Sequence, residues 1–130
     1  MSEAIPTELL YSKEHEWARI EGNTARIGIT LHAVEQLGDV TMVELPSTGE
    51  EVEKDAVFGT VESVKAVSDL FAPLTGKISK INDGLENAPE AVNETPYGDG
   101  WLLEIELSNA GEAADLMDAA AYQAFVEAED

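Results

Sequence analysis

The sequence has no cysteine, and its 130 residues hold only seven Lys and Arg against 27 Asp and Glu, a formal net charge of −20. Without thiols there is no disulfide framework, thiol nucleophile or thiolate metal site, which suits a reducing compartment. So few cations argue against nucleic acid and anionic membrane surfaces, because phosphate binding relies on Lys and Arg. Two Trp, three Tyr and three Phe are too few for a base-stacking platform. No apolar run approaches the roughly 20 residues of a membrane helix. The opening "MSEAIPTELLYSKEHEW" lacks a basic n-region, an apolar h-region and an Arg-rich character, so no leader is expected. A cytoplasmic monomer is the expectation. The charge suits cationic partners or a saline cytoplasm, and the sequence does not separate the two.

A chain of this length favours one domain, residues 1–130, with a core over about 9–107 and a helical segment over about 109–128. It buries roughly two-thirds of the surface its unfolded chain exposes, enough for a core without staples. Short strands fill the first two-thirds. "HEWARIEGNTARIGIT" predicts a hairpin around Glu21-Gly22-Asn23, where Gly and Asn tolerate positive φ. Thr30 offers an N-cap to the short helix "LHAVEQL", closed by Gly38. "VTMVEL" reads as a strand stopped at "PSTG". Two runs follow, Val57 to Ser63 and Ala66 to Phe71, then "KISKI" leading into an Asn82-Asp83-Gly84 turn. "LENAPEAVNETPYGDG" is a long irregular stretch, and such loops are uncommon unless functional. "WLLEIEL" is the last strand. Beyond it the period changes: Asn109 with Glu112 resembles a capping box, and Asp118 caps a second helix. That helix aligns Tyr122, Phe125 and Val126 on one face, which predicts packing on the sheet. Pattern alone gives a β-sandwich or barrel with a helical tail.

Groups for catalysis are scarce. His15 and His32 lie in separate elements without metal-ligand spacing. "NDGLEN" has the wrong spacing for a calcium loop, and carboxylate pairs mean little in a chain this acidic. Lacking a nucleophile–base pair, the sequence does not read as an enzyme.

Lys65, one of five lysines, interrupts a run of Val, Ser and acids in "GTVESVKAVSDL". A lysine at a hairpin tip is ordinarily a solvated cation. The same placement also suits an attachment point, since the two strands fix the tip while its side chains project. Val61, Val64 and Val67 stiffen that frame. Geometry leaves the two readings open.

The surrounding residues favour the second. "ESVKAVSDLFAPLTGKI" resembles the lipoylation segment of the glycine cleavage system H protein family. "YSKEHEW", "GIT.HA...LGDVT.VELP..G", "ND.L...PE.VN..PYGDGW" and "LMDAAAYQAF" are similar to that family in its order, across most of residues 9–126. Biotin carriers typically flank their lysine with methionines, where Val64 and Ala66 stand here. Lipoyl domains of 2-oxo acid dehydrogenases more often place Asp before the lysine.

The resemblance implies a mainly β barrel-sandwich hybrid: two small antiparallel sheets, a short helix after the second strand, and C-terminal helices. It also implies lipoate in amide linkage to Lys65. The implied role is a non-catalytic carrier that takes an aminomethyl group from a pyridoxal-phosphate glycine decarboxylase (P protein). The carrier passes it to a tetrahydrofolate-dependent aminomethyltransferase (T protein), and dihydrolipoamide dehydrogenase (L protein) reoxidises the arm. Lipoate-attachment enzymes would be further partners. Lysine plus lipoyl contains roughly ten single bonds of about 1.5 Å, so a reach above ~10 Å is expected. Tethering replaces diffusion by an effective concentration of order millimolar. By position, Glu16 and Asp69 match acids of a cleft that shelters the loaded arm, with Ser68 and His32 as further candidates. A carboxylate there would hold a protonated amine by charge-assisted hydrogen bonds. Leu31 and Val67 depart from the family pattern, and Leu31 is expected to bear on the short helix. A lipoyl relay to other enzymes and an unmodified acidic interaction domain are the alternative functions.

Overall fold

The computed structural model describes residues 6–129. The first five residues of the opening segment, where no leader is expected, therefore lie outside it, as does Asp130.

Among the described residues, nine strands form two antiparallel sheets. The larger has the order β1 (Leu10–Tyr11), β2 (Glu16–Glu21), β3 (Thr24–Ile29), β9 (Leu103–Leu107), β8 (Gly76–Ile81), β5 (Glu51–Val52). The smaller has β6 (Val57–Ser63) at its centre, flanked by β4 (Val40–Glu44) and β7 (Val67–Phe71). Helix α1 (Leu31–Leu37) joins β3 to β4. Because the two-residue β1 precedes the predicted hairpin, this helix follows the third strand. Its N-cap is Thr30, whose hydroxyl oxygen accepts the Ala33 N–H, and Gly38 closes it at φ 79°. Leu31 leaves the helix intact, donating its own N–H to the Tyr97 hydroxyl.

Period-two alternation explains the strands. In β9, Leu103, Ile105 and Leu107 are buried, while Glu104 and Glu106 face outward. Outward Glu104 meets Arg26 of β3 at 2.6 Å, and that guanidinium lies 4.5 Å from the Trp101 ring centroid. Leu102, which period-two alternation would set on the outward face with Glu104 and Glu106, is buried just outside the strand, its N–H bonded to the Ile27 carbonyl. In the β2–β3 turn only Gly22 takes positive φ; Asn23 does not.

The long irregular stretch contains a 3-10 turn, Asp83–Glu86, and one helical turn, α2 (Ala91–Glu94). These bury Leu85 and Val92 against the inter-sheet core with Ile27, Val43, Val61, Leu70 and Ile105. A second cluster joins Leu9, Tyr11, Trp17 and Tyr122. The helix α3 (Ala119–Glu129), capped by Asp118 through the Ala121 N–H, stacks Tyr122 on Tyr11 at 4.6 Å. It thus packs on the β1–β2 end of the larger sheet. The expected capping box does not form. Asn109 accepts from the Gly111 N–H, but Glu112 turns away to accept from the backbone N–H and hydroxyl of Thr75. Two well-placed donors on Thr75 outcompete one N-cap amide.

Trp17 lies directly opposite Gly28 in the β2–β3 register. A Cβ at Gly28 would stand 2.5 Å from the indole. The indole is buried and its N–H donates to the Pro96 carbonyl at 3.0 Å, so it has nowhere to swing. Gly28→Ala is expected to cost about 1–3 kcal/mol by overpacking in urea unfolding. An unchanged midpoint would contradict this register.

Candidate functional site

Strands β6 and β7 pair from Val57↔Phe71 to Glu62↔Val67 and bring Lys65 to the exposed tip of their hairpin. Ser63 holds that tip. Its N–H donates to the Ala66 carbonyl at 2.8 Å, and its hydroxyl donates to the same oxygen at 3.1 Å. The hydroxyl oxygen in turn accepts the N–H groups of Lys65 and Ala66. One side chain thus satisfies a turn that would otherwise spend its donors on water. Sequence reading passed over Ser63, although a serine two residues before the lysine is a recognisable turn signal.

Beneath the tip lies the turn from α1 to β4. The Val64 N–H donates to the Asp39 carbonyl at 3.1 Å. Gly38 faces the lysine stem closely: a Cβ there would come within 3.2 Å of Lys65 Cε. Positive φ there favours glycine, and the lysine stem lies over its bare Cα.

A cleft of about 410 Å³ begins at Ala66, the neighbour of Lys65. Its apolar walls include Ile29, Leu37 and Val61, and Glu16, Ser68 and Asp69 also line it. Three of the four candidate cleft residues therefore converge. Ser68 pairs with Val61 and is half-buried, whereas Asp69 pairs with Thr60 and is exposed at the rim. His32 does not line the cleft. Its ring instead stands 4.7 Å from that of His15, which does. Two histidines separate in sequence are neighbours in space, and His15 is a wall residue that the motifs did not indicate. A larger cavity, about 570 Å³, runs along Thr41–Leu45 and Ile81–Glu86. None of the candidates lines it, and size alone does not outweigh the convergence beside Lys65.

Glu16 is the most constrained group. A turn from Ser12, with His15 at φ 68°, sets it at the start of β2. His15 is among the residue types that visit this left-handed region most readily. The Glu16 side chain is only 2 % exposed. Its Oε1 accepts the Ser12 hydroxyl at 2.7 Å, and its Oε2 accepts the Phe71 N–H at 3.0 Å. Burial dominates these hydrogen bonds and pushes its pKa up from 4.5 to about 8, with small additions from Glu14 and Asp55.

A slender apolar chain ending in a polar group fits this cleft: aliphatic walls along its course, carboxyl and hydroxyl groups among its lining, and an anchoring amine next door. A family model described as "Glycine cleavage H-protein" matches residues 9–129. The chain belongs to that family. It is 55 % identical over 121 residues to the glycine cleavage system H protein of Symbiobacterium thermophilum, covering 93 % of this chain and 94 % of that one. It is 52 % identical over 127 residues to that of Myxococcus xanthus, covering 98 % of each. A crystal structure of the H protein from Mycobacterium marinum superposes with a TM-score of 0.87 at 39 % identity, covering 95 % of this chain and 99 % of that one.

As an H-protein family member the chain is a carrier, not a catalyst. It bears lipoate covalently on a lysine and shuttles the aminomethyl group between the decarboxylase and the aminomethyltransferase. The dehydrogenase of the system then reoxidises it. The barrel-sandwich expectation agrees with the two antiparallel sheets and with the superposed relative.

The buried carboxyl makes stability pH-dependent. Between pH 4.5 and about 8 the folded chain keeps a proton on Glu16 that the unfolded chain releases. This contribution is therefore fully present below pH 4.5, falls as pH rises, and levels off above about 8, with a span on the order of 5 kcal/mol. Glu16→Gln cannot titrate. Its stability relative to the parent should rise steadily across that window in urea titrations, and a constant difference would rule out a protonated Glu16.

Proposed function

We propose that Lys65 is the lysine that carries the lipoyl group, and that the cleft beside it receives the loaded arm. The observation that carries this reading is the position of Lys65 at the hairpin tip, adjoining a cleft whose lining includes Glu16, Ser68 and Asp69. When bound, the lipoyl dithiolane supplies the sulfur that holds the aminomethyl cargo and the disulfide that is reduced and reoxidised.

The chain's own residues do the rest. The β6–β7 pairing fixes where the amine sits, and the Lys65 stem gives it reach. Ile29, Leu37 and Val61 exclude water from the cleft wall, where an aminomethyl thioether would otherwise hydrolyse. Glu16 and Asp69 receive the cargo's ammonium, with Ser68 as a hydroxyl partner. Glu16 is protonated in the empty cleft at neutral pH. A cation beside it favours the ionised form, so loading draws a proton off Glu16 and leaves a charge-assisted hydrogen bond. His32 contributes indirectly, through its contact with His15.

The whole chain, residues 1–130, acts as one domain in this reading, and its place is the cytoplasm. No described helix is long and apolar enough to cross a membrane.

Intact-mass measurement with peptide mapping, after expression with lipoate available, should show one lipoyl or octanoyl adduct on Lys65. Lys13, Lys54, Lys77 and Lys80 should stay bare, and an adduct on any of them instead would overturn the assignment. Lys65→Arg should fold normally and transfer no aminomethyl group. In the loaded protein without its aminomethyltransferase, Glu16→Ala with Asp69→Ala should hasten cargo release by about tenfold or more, the loss of at least one charge-assisted hydrogen bond. Release at the parental rate would remove the cleft from the mechanism.

A further inference from the structure

We propose that Asn93 is a positioning residue for acylation of Lys65: its side-chain amide clamps the turn on which the lysine hairpin rests. The inference depends on the reading that Lys65 is the acylated lysine.

Asn93 sits on α2, in the long stretch between β8 and β9. Its Oδ1 accepts the Val40 N–H at 2.8 Å, and its Nδ2 donates to the Gly38 carbonyl at 2.8 Å. Both backbone partners fix the amide's orientation, because a flipped amide would set donor against donor and acceptor against acceptor. The side chain thus stands in for the peptide group of a neighbouring strand.

Three consecutive residues are then committed. Gly38 and Val40 are bound to Asn93, and Asp39 between them accepts the Val64 N–H at the hairpin tip. Gly38 also offers its bare Cα to the Lys65 stem. The tip has its own internal hydrogen bonds through Ser63, so it does not need Asn93 to form. What Asn93 adds is a fixed angle between the hairpin tip and the rest of the molecule.

Acylation makes that angle matter. The deprotonated ε-amine of Lys65 attacks the carbonyl carbon of an acyl adenylate. The C–N amide bond forms, the C–O bond to phosphate breaks, AMP departs, and the nitrogen's extra proton passes to solvent. The acylating enzyme reads the lysine at the end of a hairpin, and reacting atoms must lie within about 3–3.5 Å of each other. A hairpin that swings spends only part of its time in the competent pose, which weakens apparent affinity by that fraction.

The test uses the purified, unmodified full chain as substrate for a lipoate–protein ligase with lipoate and ATP. Asn93→Ala, and the same-sized Asn93→Asp, which keeps the acceptor but sets a carboxylate against the Gly38 carbonyl, should raise KM about tenfold with kcat within twofold. Amide hydrogen exchange in the unmodified variants should quicken at Val64 and Val40 while Ile105 stays protected. Ile105→Ala, a core truncation in β9 remote from the turn, serves as the control for lost stability. An unchanged KM, or an equal KM rise in Ile105→Ala, overturns the clamp while leaving Lys65 as the attachment site. No modification of Lys65 in the parent chain overturns the attachment reading, and the clamp with it.

Discussion

Antiparallel pairing between β6 and β7 is the constraint on which the rest of the molecule turns. A flexible lysine stem can deliver cargo to separate enzymes only if its base does not wander. A two-stranded ribbon alone is marginal in water. Here β4 completes a third strand, Ser63 satisfies the tip, and the Asp39 carbonyl braces it from below. The buried face of this sheet, with Val43, Val61 and Leu70, closes against the larger sheet, so burial of apolar surface holds the ribbon in place. The hydrogen-bonded backbone ends at Cα of Lys65, and the rotatable bonds of its stem begin there.

The cleft beside it works by the opposite balance. Its walls are dry enough to keep Glu16 protonated despite two hydrogen bonds that favour the anion. An isolated carboxylate there would be costly, so burial favours the neutral acid. In the proposed function the arm brings a cation that removes that cost. The pull is local: Asp69, on β7 of the smaller sheet, keeps contact with solvent.

Outside the cleft the surface is dominated by acids, and the large exposed apolar side chains are few: Met42, Val57, Val64 and Val67. Val64 and Val67 flank the lysine, and Met42 shares a cross-strand row with Glu62 and Val67. Apolar side chains among carboxylates around the proposed attachment point suit brief docking to cationic partner surfaces. Charge brings partners together quickly, and modest apolar area lets them part.

Local chemistry wrote much of this into the chain. The two ends of α1 follow from Thr30 and Gly38, β6 from the run Val57 to Ser63, and β9 from alternating Leu, Glu and Ile; each needs only neighbours along the chain. Lys65 was legible both as a tip residue and through its flanking motif. Pairings across the fold were not. Nothing in "GNTARIGIT" reveals that Gly28 gives room to Trp17, that Tyr122 returns from the far end to stack on Tyr11, or that His15 and His32 become neighbours. Asn93 falls within the "PE.VN" motif, but nothing along the chain says what its amide binds. It acquires a role only when α2 is laid beside the start of β4, because hydrogen bonds over such separations depend on where the sheets have placed both partners. The sequence by itself determined which residue is offered to the outside. Tertiary packing decided how firmly it is held, and which walls the cleft beside it has.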